Sequence, residues 1–231
     1  DLLKKTVAGS LVIGFLSSLC ITLAGLVGLH PLLVLLDTPA EILEEAYSYI
    51  LIIDVGVLVM FAYNLCAGLL RAIGNSFMPL VFLLISSGLN VALDLVFIAV
   101  VGMGVKGAAV ATVISQGVSV VLCIFYVLRK TRVLVPERKH FQVGRKLYWD
   151  LFSQSISMGL MSSIVSAGSV VLQYGINGLG TLVIAGHTAA RKMFAFTDMP
   201  LIAMANAGST FVSQNYGANH PDRVRKGMRE I

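Results

Sequence analysis

Between Met78 and Val101 the chain reads MPLVFLLISSGLNVALDLVFIAVV, 24 residues with a single ionisable side chain. About 20 mostly apolar residues span the hydrocarbon core of a bilayer, so this run reads as a membrane-crossing helix. Its one acidic residue, Asp94, is the stronger constraint. A carboxylate inside a span is costly unless it faces a protein interior or a watery cavity. Asn90 lies four residues earlier and so falls on the same helix face. The other helices must be arranged around that face.

Five further segments read as spans. Thr6–Leu29 is rich in Gly and Ser, which let helices approach closely, and His30-Pro31 is predicted to end it. Asp37-Thr38-Pro39 is predicted to start the second, with Asp or Thr as cap and Pro in the first turn. That helix begins amphipathic (Glu41, Glu44, Glu45), is apolar from Ala46 to Leu70, and ends at Arg71 and the Gly74-Asn75 turn. Met78–Val101 is the third span. Gly102-Met103-Gly104 turns tightly into the fourth, Val105–Leu128. A basic linker, Arg129–Lys146, contains Pro136 and leads to Tyr148-Trp149, an interfacial aromatic anchor. The fifth span is Leu151–Ile176. Asn177-Gly178-Leu179-Gly180 turns into the sixth, Thr181–Asn215, which is longer than a bilayer requires. The expected fold is an all-α polytopic membrane protein with six transmembrane helices.

Hydrophobic residues make up 57% of the chain and charged residues 13%, against about 25% charge in a typical soluble domain. The net charge of +5 does not point to nucleic acid, because the basic residues lie in the connections between spans. Connections on one side hold Lys4, Lys5, Arg71, the Arg129–Lys146 stretch and the tail residues Arg223, Arg225, Lys226 and Arg229. The other side holds Lys106 and the acidic group Asp37, Glu41, Glu44 and Glu45. The positive-inside rule then places both ends of the segment in the cytoplasm and the spans in the cell membrane. Cys20, Cys66 and Cys123 lie far apart in apolar runs and read as small buried hydrophobes. The four histidines have no ligand spacing, so no metal cluster or organic cofactor is expected. No cluster of catalytic residues gathers at one membrane face, so the chain does not read as an enzyme.

Polar residues inside the spans carry the functional reading. Asp94 is nine residues before Met103 and Thr112 is nine after it, which places both at one depth, roughly 13 Å from the ends of antiparallel neighbours. Asn90, Asp94 and Thr112 offer a carboxylate, an amide carbonyl and a hydroxyl, ligands suited to a small hard cation such as sodium. The plainer reading is a set of helix-packing hydrogen bonds. Gln116 extends the face of Thr112. Asp54, Tyr49 and Asn64 share the second span. Asp54 is a candidate cavity residue, Tyr49 a belt or cavity residue, and Asn64 a packing or cavity residue. Asp198 lies seven residues after Arg191, on about the same face. Arg191, Lys192 and Asp198 form either an internal charge pair or part of a cavity wall.

The residues resemble the multidrug and toxic compound extrusion (MATE) transporters. The matching stretches are LLRAIGNSFMPL (Leu69–Leu80), GLNVALDLVFI (Gly88–Ile98), GVKGAAVATVISQ (Gly104–Gln116) and MPLIAMANAGSTFVSQNYGAN (Met199–Asn219). The resemblance implies a twelve-helix, two-lobe fold of which this chain holds helices three to eight. Residues 1–130 would be a partial N-lobe of four helices, 131–146 a basic cytoplasmic linker, and 147–231 a partial C-lobe of two. The remaining helices of a full-length transporter would then be partners, with the lipid bilayer. The implied function is export of amphipathic, often cationic compounds by exchange for sodium or protons. A lipid-linked precursor flippase is the alternative. In the branch resembling the DNA-damage-inducible type, the coupling site uses residues that map onto Asn90, Asp94 and Thr112, with a Tyr mapping onto Tyr49. Another branch places a Glu in helix seven, but Leu151–Ile176 holds no acidic residue.

Overall fold

The computed structural model describes residues 1–35, 40–142 and 144–230. Among these every regular element is helical, and the expected cap at Asp37-Thr38-Pro39 lies outside them. Two compact units are present, Asp1–Phe152 and Ser153–Ile231.

The first unit contains α1 (Leu2–Leu35), α2 (Ala40–Val55), α3 (Val57–Ala72), α4 (Phe77–Asp94), α5 (Val105–Lys130) and the start of α6 (Arg145–Asn177). α5 packs against α2, α3 and α4. It can do so because its buried positions are small: Gly107, Ala109, Ala111, Ser115, Ser119 and Cys123. Val7, Tyr63, Ala67, Leu70, Phe82, Cys123 and Leu134 form the buried apolar cluster. Hydrogen bonds tie helices together around it. The Tyr63 hydroxyl donates to the Pro79 carbonyl (3.1 Å) and the Ser119 hydroxyl to the Phe82 carbonyl (2.9 Å). The Asn75 amide donates to the Tyr126 hydroxyl (2.9 Å). Gly74 has φ +85° in the α3–α4 turn, a backbone position that suits glycine.

Two expectations are corrected here. His30-Pro31 does not end the first helix, since α1 continues to Leu35 with Pro31 inside it. Leu29 and Leu33 are both buried and hold the helix in its packing on either side of Pro31. Breaking it would leave backbone groups facing lipid, a larger cost than the one hydrogen bond that proline removes. The second span is broken as well. α2 and α3 meet at Gly56 with a 45° bend. Val113 of α5 packs into the space that a side chain on Gly56 would need.

The linker is structured and belongs to the first unit. Two short 3₁₀ turns, Arg132–Leu134 and Arg138–Phe141, carry Leu134 and His140 inward, each 1% exposed. Lys4 Nζ (3.1 Å) and Lys139 Nζ (2.9 Å) both reach the Glu137 carboxylate. These contacts pull Glu137 down to about 2, the Lys139 hydrogen bond contributing most. The Glu137 N–H donates to His140 Nδ1 at 3.0 Å, and His140 Nε2 lies 3.2 Å from Asp1 Oδ1. Nδ1 therefore accepts and Nε2 carries the proton of a neutral ring. Burial holds the His140 imidazole below its usual range.

The second unit holds the rest of α6, α7 (Thr181–Gly217) and α8 (Pro221–Glu230). Gly227 of α8 sits against the Phe211 ring of α7 with no room for a side chain. Val224 and Met228 face an apolar cavity of about 530 Å³ shared with Met204, Gly208 and Val212.

Among the described residues, four helices are long and apolar enough to cross a membrane, or five if the bent α2–α3 pair is one span. α7 is long enough but is not one of them. Arg191, Lys192, Asp198 and Asn206 interrupt its apolar sequence.

Candidate functional site

α4 and α5 form an antiparallel hairpin through a turn in which Gly102 (φ +74°) and Gly104 (φ +58°) take left-handed backbone positions. The hairpin brings Asn90 beside Thr112: the Asn90 amide donates to Thr112 Oγ1 at 3.4 Å. The Thr112 hydroxyl in turn donates to the Ala108 carbonyl at 2.9 Å. Both side chains are half-buried. The amide oxygen of Asn90 and the second lone pair of Thr112 Oγ1 thus stay available as acceptors.

Asp94 closes α4 on the same face, one helical turn after Asn90. Its Oδ1 is buried and has no hydrogen-bond partner. Immediately after it the backbone widens into a π-helical segment, Leu95–Val100. Val101 N–H bonds the Val96 carbonyl five residues back, at 2.9 Å. The wider turn sets Thr112 against Asn90, whereas a depth count along straight α-helices puts it level with Asp94. π-segments interrupt helices chiefly at functional positions. No sequence signal announced this one.

The arrangement can bind a proton or a small cation. It supplies one carboxylate with a buried, unpartnered oxygen, and one amide oxygen and one hydroxyl oxygen on half-buried side chains. A hard cation prefers such oxygen ligands. Among the described residues no cluster of three His, Cys, Asp or Glu is present, so a transition-metal centre has no ligand set here.

The other named residues do not join this trio in one way. Gln116 lies one turn beyond Thr112 on α5 and is half-buried. Asn64 is exposed, and its amide donates to the Met60 carbonyl of its own helix at 2.8 Å. Tyr49 is half-buried on α2, while its neighbour Tyr47 makes the ring contact to α1, edge-on to His30 at 5.6 Å. Asp54 has a distinct setting at the α2–α3 break. Its backbone carbonyl accepts the Thr22 hydroxyl of α1 at 3.0 Å, and its carboxylate lies against Gly25, where no side chain would fit. Asp54 Oδ2 is buried without a partner. Gly25 and Gly56, glycines in mid-span, were the available signals for this pocket, but neither reveals its partner from sequence alone.

Asp198 belongs to the second unit and is half-buried on α7. Among the described residues, no ion pair joins it to Arg191 or Lys192. Arg191 and Lys192 instead line a cavity of about 340 Å³ with Thr188, Ala195 and Gln173 of α6. His187 Nε2 is buried without a partner.

Comparison with known proteins gives consistent matches. The MatE family model matches residues 1–96 and 157–231. The chain is 32% identical over 197 residues to "Probable multidrug resistance protein YpnP" of Bacillus subtilis, covering 84% of this chain and 43% of that protein. It is 22% identical over 182 residues to "Multidrug export protein MepA" of Staphylococcus saprophyticus, covering 79% of this chain and 40% of that protein. The chain therefore spans less than half the length of these two relatives. A solved structure described as the outward-facing conformation of a multidrug resistance MATE family transporter superposes with TM-score 0.87 at 23% identity. That superposition covers 96% of this chain and 50% of the other. At that identity the match speaks for the fold alone.

Proposed function

This chain belongs to the MatE family, and from that premise we propose that it forms part of a cation-coupled antiporter. Its cargo is amphipathic, often cationic compounds, exported across the cell membrane in exchange for sodium or protons. The observation that carries the reading is the buried, unpartnered Oδ1 of Asp94, next to the hydrogen-bonded Asn90–Thr112 pair. A carboxylate kept in a span without a partner is a functional position by default, because its cost is offset only by what it binds. The relatives' names support drug export. They lend nothing to movement of a lipid-linked precursor, and none names an enzyme.

In this reading Asp94 takes up the coupling proton or ion, and Asn90 and Thr112 orient it with neutral oxygens. Ion and cargo bind the two access states of the transporter differently, and that difference drives exchange. Both ends of the segment lie in the cytoplasm, following the charge bias of the connections. The test is transport of a fluorescent organic cation by the full-length protein in proteoliposomes, driven separately by sodium and proton gradients. Asp94→Asn keeps shape and hydrogen bonding but removes the charge. It is expected to lower gradient-driven uptake at least ~10-fold, the ratio that ~1.4 kcal/mol of lost coupling produces. Full gradient-driven transport by Asp94→Asn would sink the assignment.

A further inference from the structure

α5 and α6 are both long and apolar enough to cross a membrane, so the chain that joins them lies at a membrane surface. Between 129 and 150 the sequence holds seven Lys and Arg residues against two acids, Glu137 and Asp150. Glu137 is already bound by Lys139 and by Lys4 of α1. The other six cations are Arg129, Lys130, Arg132, Arg138, Arg145 and Lys146. All six are exposed, and among the described residues none is in an ion pair.

The orientation of the spans asks only that basic residues lie on one side, and an unfolded linker would satisfy it. This linker is folded. Its two 3₁₀ turns pack against α1 and send Leu134 and His140 inward, while Arg132 and Arg138 stay outside. Leu134 joins the buried cluster that holds Val7 of α1 and Cys123 of α5. The helix ends on either side of the linker repeat one pattern. On α5 the Arg129 guanidinium lies 5.1 Å from the centroid of the Phe125 ring, one turn deeper in the span. On α6 Trp149 lies one turn deeper than Arg145, with its ring 6.3 Å from that of Phe152. Phe125 is 58% exposed and Trp149 67%. One turn of four residues is roughly 6 Å of helix. An exposed ring one turn below a cation suits the bilayer interface, where aromatic side chains sit at headgroup level and cations meet phosphates.

We propose that the folded linker and the two helix ends flanking it form a binding surface for the phosphate headgroups of anionic phospholipids. Lipid held there braces the linker against the membrane and fixes the depth of this end of the first unit. The inference stands apart from the transport reading, because it involves neither Asp94 nor an ion gradient.

The test counts lipids bound to the purified full-length protein by native mass spectrometry, as dioleoylphosphatidylglycerol or dioleoylphosphatidylcholine is added to the detergent. Wild type is expected to hold phosphatidylglycerol about 10-fold more tightly than phosphatidylcholine. Each cation near an anionic surface contributes roughly a factor of five, so R132Q/R138Q is expected to weaken phosphatidylglycerol binding about 10-fold or more. R132K/R138K keeps the charge and should stay within about 3-fold of wild type. R223Q/R225Q removes the same charge from α8 and should stay within about 2-fold. An unfolding temperature in phosphatidylcholine micelles equal to that of wild type reports that each variant is folded. Equal binding of the two lipids by wild type, no loss in R132Q/R138Q, or an equal loss in R223Q/R225Q would overturn the inference. Inorganic phosphate at the same phosphate concentration is expected to leave lipid binding unchanged. Displacement of the lipid by it would assign a site for free anions and overturn the lipid surface.

Discussion

Asp54 and Asp94 each place a carboxylate oxygen in the interior of the first unit without a hydrogen-bond partner, but their surroundings differ. Asp94 has an amide and a hydroxyl one turn away and a π-segment after it. Asp54 has the methylene of Gly25 against its carboxylate and a hydroxyl on its backbone carbonyl. On the proposed reading, that contrast favours Asp94 over Asp54 as the coupling carboxylate, since Asp54 is packed beside a helix break. Under one transport assay, Asp94→Asn is expected to abolish coupling, and Thr112→Ala to weaken it several-fold because a neutral ligand is lost. Asp54→Asn should keep more than half of wild-type uptake. Full transport by Asp94→Asn together with loss in Asp54→Asn would move the coupling site to the break. The juxtaposition of Asn90 and Thr112 was legible because polar side chains stand out in apolar sequence and the hairpin count brings α5 back to the depth of that face. The setting of Asp54 was not, because it depends on Gly25 and Thr22, about thirty residues away on another helix.

At the scale of elements, apolar runs and turn glycines marked where helices lie, but not where they bend or widen. A break at Gly56 depends on Val113 reaching across from α5, which no local pattern contains. Gly56→Ala is expected to lower stability by about 1–3 kcal/mol, the usual range for overpacking, read as a lower unfolding temperature in detergent. An unchanged or higher temperature would mean that the helices part easily at this contact. The linker supplies a pH test. His140 is favoured in its neutral form, so below about pH 6.5 the unfolded chain binds a proton that the folded segment resists. Its contribution is complete above that pH and declines as pH falls through it. Glu137, Lys139, Lys4 and Asp1 are the charged groups around it. Glu137, held at about 2, stays ionised throughout and cannot cause the change. Hydrogen exchange at the His140 amide, which bonds the Glu137 carbonyl at 2.9 Å, is expected to speed up several-fold from pH 7.5 to 5.5 after correction for intrinsic rates. His140→Gln should lose that dependence, and a pH dependence retained in the variant would assign it elsewhere.

For the molecule as a whole, sequence reading anticipated a helical membrane protein and the place of each long helix. Of the six spans it expected, four described helices meet the length and apolarity of a span, or five if the bent α2–α3 pair is one. Charges and amides occupy the middle of α7, and the second span is bent into two helices. Orientation is tested by labelling. In a cysteine-free background, single cysteines at Glu44 and Gly178 are expected to react with an impermeant thiol reagent on intact cells, and one at Lys139 to stay unlabelled. Strong labelling at Lys139 would reverse the orientation, and with it the side from which Asp94 is loaded.

The buried cluster of the first unit joins the start of α1, the end of α3, the start of α4 and the end of α5. All four lie at the same end of the bundle. Mechanically this is a clamp at one end of the bundle, while toward the other end the ties are the Asn90–Thr112 bond and Val113 against Gly56. From Phe82 in the clamp to Asp94 is 12 residues, roughly 18 Å along the helix. A small angular flexing that scarcely displaces Phe82 is magnified by that lever arm at Asp94. Opening and closing around the carboxylate then requires no rearrangement of the clamp.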